Sequence, residues 1–254
     1  MEFLPDLWYL VPLLFIAGVL DGIAGGGGII ALPAYMITGM PVYSAYACNK
    51  LQSGLGTLCS CLKYAKEKFI DIKVALLAVP TTILSSFLIT KLIMSISEDT
   101  IRIIIAICLP IAVVTMFLKR KVSAKKQVSH ALTARTVLLT LLAGAILGAY
   151  DALFGPGGGT IAMLVFSLLL NYDLRVGNGN GKLIIVVSNI TAVINYVASG
   201  HMIWHVAIPC ALANMAGSYI GAALVVKKGE KLIFPAMLIV VASLIVQIIV
   251  GFLQ

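Results

Sequence analysis

Four successive glycines, Gly25, Gly26, Gly27 and Gly28, interrupt an apolar stretch near the start of the chain, and a related cluster recurs about 130 residues later. The first copy reads Gly18-Val19-Leu20-Asp21-Gly22-Ile23-Ala24-Gly25-Gly26-Gly27-Gly28. The second reads Gly148-Ala149-Tyr150-Asp151-Ala152-Leu153-Phe154-Gly155-Pro156-Gly157-Gly158-Gly159. A run of glycines breaks a helix. In hydrocarbon the break exposes N–H and C=O groups that lipid cannot satisfy, so it is expected to line a cavity. Two equivalent breaks in one chain point to a transport site.

The chain of 254 residues is 61% hydrophobic and only 11% charged, far from the balance of a soluble domain. It reads as an all-α polytopic membrane protein with no room for a soluble catalytic domain. The formal charge of +8 could suggest a nucleic-acid partner, but Lys and Arg collect in cytoplasmic loops of membrane proteins, and that reading is preferred. Glu2 and Asp6 precede the first apolar run without a basic region, so the start reads as part of a membrane helix rather than a cleaved signal. The cysteines, Cys48, Cys59, Cys61, Cys108 and Cys210, fall within or at the ends of apolar segments in no metal-binding pattern and read as small buried hydrophobes.

Apolar segments are expected at 7–24, 28–38, 44–62, 72–95, 100–118, 134–154, 158–170, 182–199, 203–226 and 232–253. All but 28–38 and 158–170 are long enough to span or nearly span a bilayer. Both short segments directly follow a glycine motif. Lys63, Lys66, Lys68 and Lys73 form one basic loop; Lys119, Arg120, Lys121, Lys125, Lys126 and Arg135 a central one; Lys227, Lys228 and Lys231 a third. These three are expected to face the cytoplasm, with the loop at Glu98 and Asp99 and the loop at 199–202 outside. The loops fit together only if each short segment crosses as a half-helix or returns as one arm of a re-entrant hairpin. Each half then has an odd number of segments, which makes the two halves inverted repeats. The rival, eight plain helices in two parallel repeats of four, would put Lys227, Lys228 and Lys231 outside.

The repeat extends beyond the glycines. Asn49-Lys50-Leu51 matches Gly181-Lys182-Leu183, and Ala78-Val79-Pro80 matches Ala207-Ile208-Pro209. The expected organisation is a first membrane repeat over 1–118, a basic cytoplasmic linker over 119–133 and a second membrane repeat over 134–254.

Half-helices starting at Gly28 and Gly158 would point free N–H groups and positive dipole ends at the membrane centre, a geometry that binds an anion without a fixed charge. The candidate ligands are therefore Gly25, Gly26, Gly27, Gly28, Gly157, Gly158, Gly159 and Thr160. Close helix packing is the competing explanation. It needs only one small residue per turn, whereas each further glycine costs about 1 kcal/mol relative to Ala. Lys50 beside Asn49, and Lys182 in the matching place, must each be paired, snorkel to an interface or face a polar path. Asp21 and Asp151, the acids well inside apolar segments, are candidates for proton coupling or for structural pairing. Gln52, Ser53 and Asn189 could complete the ligand shell or bond between helices. His201 and His205 are four apart without a third ligand in sequence and read as interfacial, as do Trp8, Tyr9, Trp204 and Tyr219.

The Gly-x-x-Asp-Gly-x-x-Gly-Gly-Gly-Gly element, the following Asn-Lys pair and the degenerate second copy resemble the TauE/SafE family of membrane transporters, also called the sulfite exporter family. The resemblance covers nearly the whole chain. It implies a multi-pass transporter of the bacterial or archaeal cytoplasmic membrane for small anions, typically sulfite, sulfonates or related organosulfur anions; alternating access about the two breaks is the expected mechanism. The expected partners are a small anion and the bilayer, not nucleic acid; proton coupling and a homodimer stay open. No Walker-type motif is present and no cofactor is called for. An anion channel, a carrier of small carboxylates and an intramembrane enzyme are the alternatives, the last lacking an identifiable nucleophile and base.

Overall fold

In a computed structural model, residues 6–98, 132–153 and 157–228 are described, together with positions 4, 100, 101, 103, 155, 232 and 235. The described residues form α1 (Leu7–Ala24), α2 (Gly28–Ile37), α3 (Val42–Lys66), α4 (Ile72–Ile93), α5 (Ala134–Leu153), α6 (Gly158–Leu169), α7 (Leu174–Ala198) and α8 (Trp204–Lys228), with no strand among them. The segments expected at 100–118 and 232–253, most of the linker, Asp99, Cys108 and Lys231 lie outside the described residues.

Helices α1, α4, α5, α7 and α8 are long and apolar enough to cross a membrane. With its 25 residues, α3 is about 37 Å long and also of spanning length. It is less apolar because Asn49, Lys50, Gln52 and Ser53 fall in its middle. Its face toward lipid is small: all of these except Ser53 are buried among other helices. The exposed aromatic side chains Trp8, Trp204 and Tyr219 lie on the outer surface.

Small residues set the closest packing. Along α1 and α8, which run in the same direction, Asn214 Nδ2 donates to Leu14 O (3.1 Å) and Ser218 Oγ to Gly18 O (3.1 Å). A Cβ on Gly22 would fall 2.8 Å from Ala222 N, an approach only glycine permits. Between α4 and α5 the same pattern returns: Thr81 Oγ1 donates to Leu141 O (2.9 Å) and Thr82 Oγ1 to Gly144 O (3.2 Å), while Gly148 abuts Thr82 and Ser85.

Both short helices double back. The chain turns at Gly25 (φ +76°), and Leu32 and Tyr35 of α2 pack in one apolar cluster with Leu10 and Leu14 of α1. The open ends of this hairpin lie beside Val42, whose N–H donates to Glu98 Oε1 (3.2 Å), and Tyr43, stacked on His201 (5.1 Å). The second hairpin, α5 with α6, turns through Gly155 (φ +75°) and Gly157 (φ +74°). Its far part, Phe166 and Leu170, clusters with Ala143, Val74 and Val176 at the opposite end of α3 and α4. There Tyr172 OH donates to Asp71 Oδ2 (2.7 Å) and Asp71 N–H to Asn180 Oδ1 (2.8 Å).

Two boundaries differ from expectation. α3 runs on through Lys63 and Lys66, where Lys63 pairs with Glu67 at 2.9 Å. α7 begins at Leu174 rather than near 182, so the Gly/Asn stretch before Lys182 is helical. Asp173 caps it by accepting from Arg175 N–H (2.9 Å) and Val176 N–H (3.0 Å). Gly177, Gly179 and Gly181 are helical here because their bare faces meet Ser167, the Phe69 carbonyl and Met163. Packing outweighs their poor intrinsic propensity.

Candidate functional site: the junction of two glycine breaks

The two hairpin tips touch backbone to backbone. A Cβ on Gly159 would lie 2.6 Å from Gly25 Cα, and one on Gly25 would lie 2.5 Å from Gly159 Cα. Thr160 Oγ1 donates to Ala24 O at 2.6 Å, closing one of the carbonyls freed by the first break. Each break therefore meets the backbone of the other in this conformation, and burial in protein satisfies the freed backbone groups as a polar cavity lining would. Beside the contact, the N–H groups of Gly26, Gly27 and Gly28 lead into α2 and make no hydrogen bond among the described residues.

Each tip carries its aspartate to the lysine of the other half. Lys50 Nζ on α3 donates to Asp151 Oδ2 at 2.9 Å and also to the Asp151 carbonyl, with both side chains almost fully buried (1% and 3% exposed). Lys182 Nζ on α7 donates to Asp21 O at 2.6 Å. The two contacts are not identical: the Asp21 carboxylate accepts from Thr57 Oγ1 (2.8 Å) instead of from Lys182. Lys182 also lies 5.8 Å from the centre of the Tyr64 ring. Neither lysine snorkels; both face this interior.

Helical spacing explains why α3 can serve both ends. Lys50, Gly54, Thr57, Cys61 and Tyr64 recur at three and four residues and so form one stripe. That stripe meets Asp151 at Lys50, Asn189 at Gly54, Asp21 at Thr57 and Asn178 at Tyr64. Asn178 Nδ2 donates to both Ile23 O and Tyr64 OH at 2.9 Å, fastening the first tip to α7.

Of the candidates, Asp21, Gly25, Gly26, Gly27, Gly28, Lys50, Asp151, Gly157, Gly158, Gly159, Thr160 and Lys182 fall at or beside the junction. Asn49 is next to the second tip, its Nδ2 3.8 Å from where a Gly155 Cβ would sit, and its Oδ1 has no partner. Buried Gln52 Oε1 and both polar atoms of Asn189 are likewise without a partner among the described residues. Ser53 is only half-buried and makes no contact with the others that the hydrogen bonds record. Thr57 and Tyr64 were not singled out from the sequence, although they stand about two and four helical turns beyond Lys50 on one stripe, a signal that was readable.

The chain matches the family model described as "Sulfite exporter TauE/SafE" over residues 10–248. It is 30% identical over 250 residues to the "Probable membrane transporter protein YfcA" of Escherichia coli K12, covering 95% of this chain and 92% of that one. It is 31% identical over 228 residues to a "Probable membrane transporter protein" of Haemophilus influenzae, covering 89% and 87%. A third relative, the "Probable membrane transporter protein ORF9" of Sinorhizobium sp, is 31% identical over 248 residues, covering 96% and 92%. No solved structure matches the chain. With paired glycine breaks, a multi-pass apolar helical bundle and this family match over nearly its full length, the chain belongs to the TauE/SafE family of membrane transporters.

Proposed function

We propose that the junction is the substrate site of a secondary transporter for small anions, with sulfite, sulfonates and related organosulfur anions as the class. The observation that carries this reading is the crossed pairing, in which Lys50 reaches Asp151 and Lys182 reaches Asp21 through the point where the two breaks meet. Two buried ammonium groups beside the free N–H groups of Gly26, Gly27 and Gly28 supply both charge and directional donors for an oxyanion. Reciprocal packing of α1 on α8 and α5 on α4, with hairpins that open at opposite ends, supports two inverted halves and alternating access by rocking one against the other. Asp21 and Asp151 are the groups through which a proton could be coupled. A channel is less well supported, because Gly25 and Gly159 meet backbone to backbone where the two breaks would have to frame a pore.

Uptake into proteoliposomes tests the reading, with a panel of sulfite, sulfate, thiosulfate, sulfonates and small carboxylates and with Gly27→Leu and Lys50→Ala as controls. Saturable uptake of a sulfur anion, lost in both variants, is expected. Uptake of none, or uptake indifferent to both changes, would assign the breaks to packing alone.

A further inference from the structure

Among the described residues, the buried formally charged side chains are Asp21, Lys50, Asp151 and Lys182, two of each sign. Their sum is zero before any substrate arrives. An anion that enters such a site adds an uncompensated charge to a low-dielectric interior, a state proteins avoid by pairing or by neutralising a group. Here the group that can be neutralised is at hand. Among the described residues Asp151 pairs with Lys50 of α3; Gly155, Gly158 at the start of α6 and Ile185 of α7 stand around the pair, while the Gly148 face of α5, one turn before Asp151, packs on Thr82 and Ser85 of α4. Tyr46 OH stands one turn away on the Leu153 carbonyl (3.4 Å). A proton on Asp151 Oδ2 ends the ion pair and frees the Lys50 ammonium for the anion.

A place for that anion is marked independently. Asn189 is 1% exposed, yet among the described residues neither its Oδ1 nor its Nδ2 has a hydrogen-bond partner. Native proteins rarely leave a whole buried amide orphaned, and a ligand is one reason for it. Asn189 meets α3 at Gly54, where an added Cβ would stand 3.1 Å from its own Cβ. Gly54 is one turn from Lys50 and one turn from Thr57, so the amide lies between the Asp151–Lys50 pair and the Asp21–Thr57 pair.

We propose that a monovalent anion binds at Asn189 together with one proton, carried on Asp151, and that the two cross the membrane as a neutral set. This rests on the anion-transport reading above and gives its stoichiometry. The balance is closed: two ammonium groups, the Asp21 carboxylate and the anion are charged, Asp151 is neutral, and the proton leaves Asp151 with the anion as the Lys50 pair re-forms.

The test uses the full chain in liposomes loaded with a pH dye, with the membrane potential clamped by potassium and valinomycin. Methanesulfonate is the main probe because it is fully ionised at working pH and cannot bring its own proton; sulfite is run beside it. Net charge moved per anion is expected to be zero for both, with one proton accompanying each methanesulfonate. In Asp151→Asn, a fixed neutral analogue, the methanesulfonate uptake that remains, at whatever rate, should move no proton and depend on potential. Asn189→Leu should lower uptake about tenfold with an unchanged thermal melt. Uptake that moves one net charge per anion in the unmodified protein, or an Asn189→Leu variant at full rate, overturns the proposal while leaving anion transport standing. If neither these anions nor the rest of the panel enter, the proposal and the functional reading fall together. The unmodified protein supplies the stoichiometry even if a variant fails to fold.

Discussion

Gly25 and Gly39 have nearly the same backbone, φ +76° and +77°, but different surroundings. A Cβ at Gly39 would meet nothing within 4 Å, whereas one at Gly25 would enter the Gly159 backbone. Gly39→Ala should therefore lose about 1 kcal/mol, the conformational cost alone. Gly25→Ala should lose that plus roughly 1–3 kcal/mol of overpacking, and with it transport. Denaturant titration in mild detergent, paired with uptake, separates the two. The Lys50–Asp151 pair offers a second contrast. Lys50→Met leaves a buried carboxylate alone and should destabilise by about 3–5 kcal/mol, while Lys50→Met combined with Asp151→Asn should recover most of that stability but not uptake. A double variant as unstable as the single one would mean that the lysine stem, not the charge, holds the site.

Among the elements, α7 departs furthest from what local propensity suggests. The segment 174–181 at its start holds Gly177, Gly179, Gly181, Asn178 and Asn180, a composition that favours a loop, yet it is helical because each glycine admits a neighbour's backbone or side chain. Gly179→Ala should push α7 off the Phe69 carbonyl, lower the melting temperature by several degrees and weaken the Asp71–Asn180 bond beside it. A circular-dichroism melt checks this, and an unchanged transition would refute the packing explanation. Tyr172, in the short connection before α7, has its hydroxyl held above the ordinary tyrosine range by burial and by its bond to the Asp71 carboxylate. Because the folded value is raised, the stability this bond contributes is whole below about pH 10 and is lost only as pH climbs toward the raised value. Tyr172→Phe should cost about 1 kcal/mol at neutral pH, and the loss should shrink as the medium becomes strongly alkaline.

Across the whole molecule, the basic residues give the orientation a direct check. Lys66, Lys73 and Arg135 flank connections at one end of the bundle, as do Lys227 and Lys228 at the end of α8, while Tyr43 and His201 meet at the other. In a cysteine-less background, Lys227→Cys should react with an impermeant maleimide only in inside-out vesicles and Gly200→Cys only in right-side-out ones. Labelling of Lys227→Cys from outside would overturn the inverted arrangement.

Among the described residues the places of the apolar segments, though not every boundary, were legible because a bilayer imposes its thickness on every helix and forbids unsatisfied backbone. For the same reason the glycine runs could be read as breaks and α2 and α6 as half-helices, with starts at Gly28 and Gly158. Lys50, Lys182, Asp21 and Asp151 stood out because charge in hydrocarbon demands a partner. Which partner each one takes was not legible. The pairs join residues 101 and 161 positions apart, and they cross between halves instead of closing within one. Nothing local records that choice: it depends on how two hairpins pass each other, on Gly25 and Gly159 being bare enough for the tips to touch, and on α3 presenting one stripe to both.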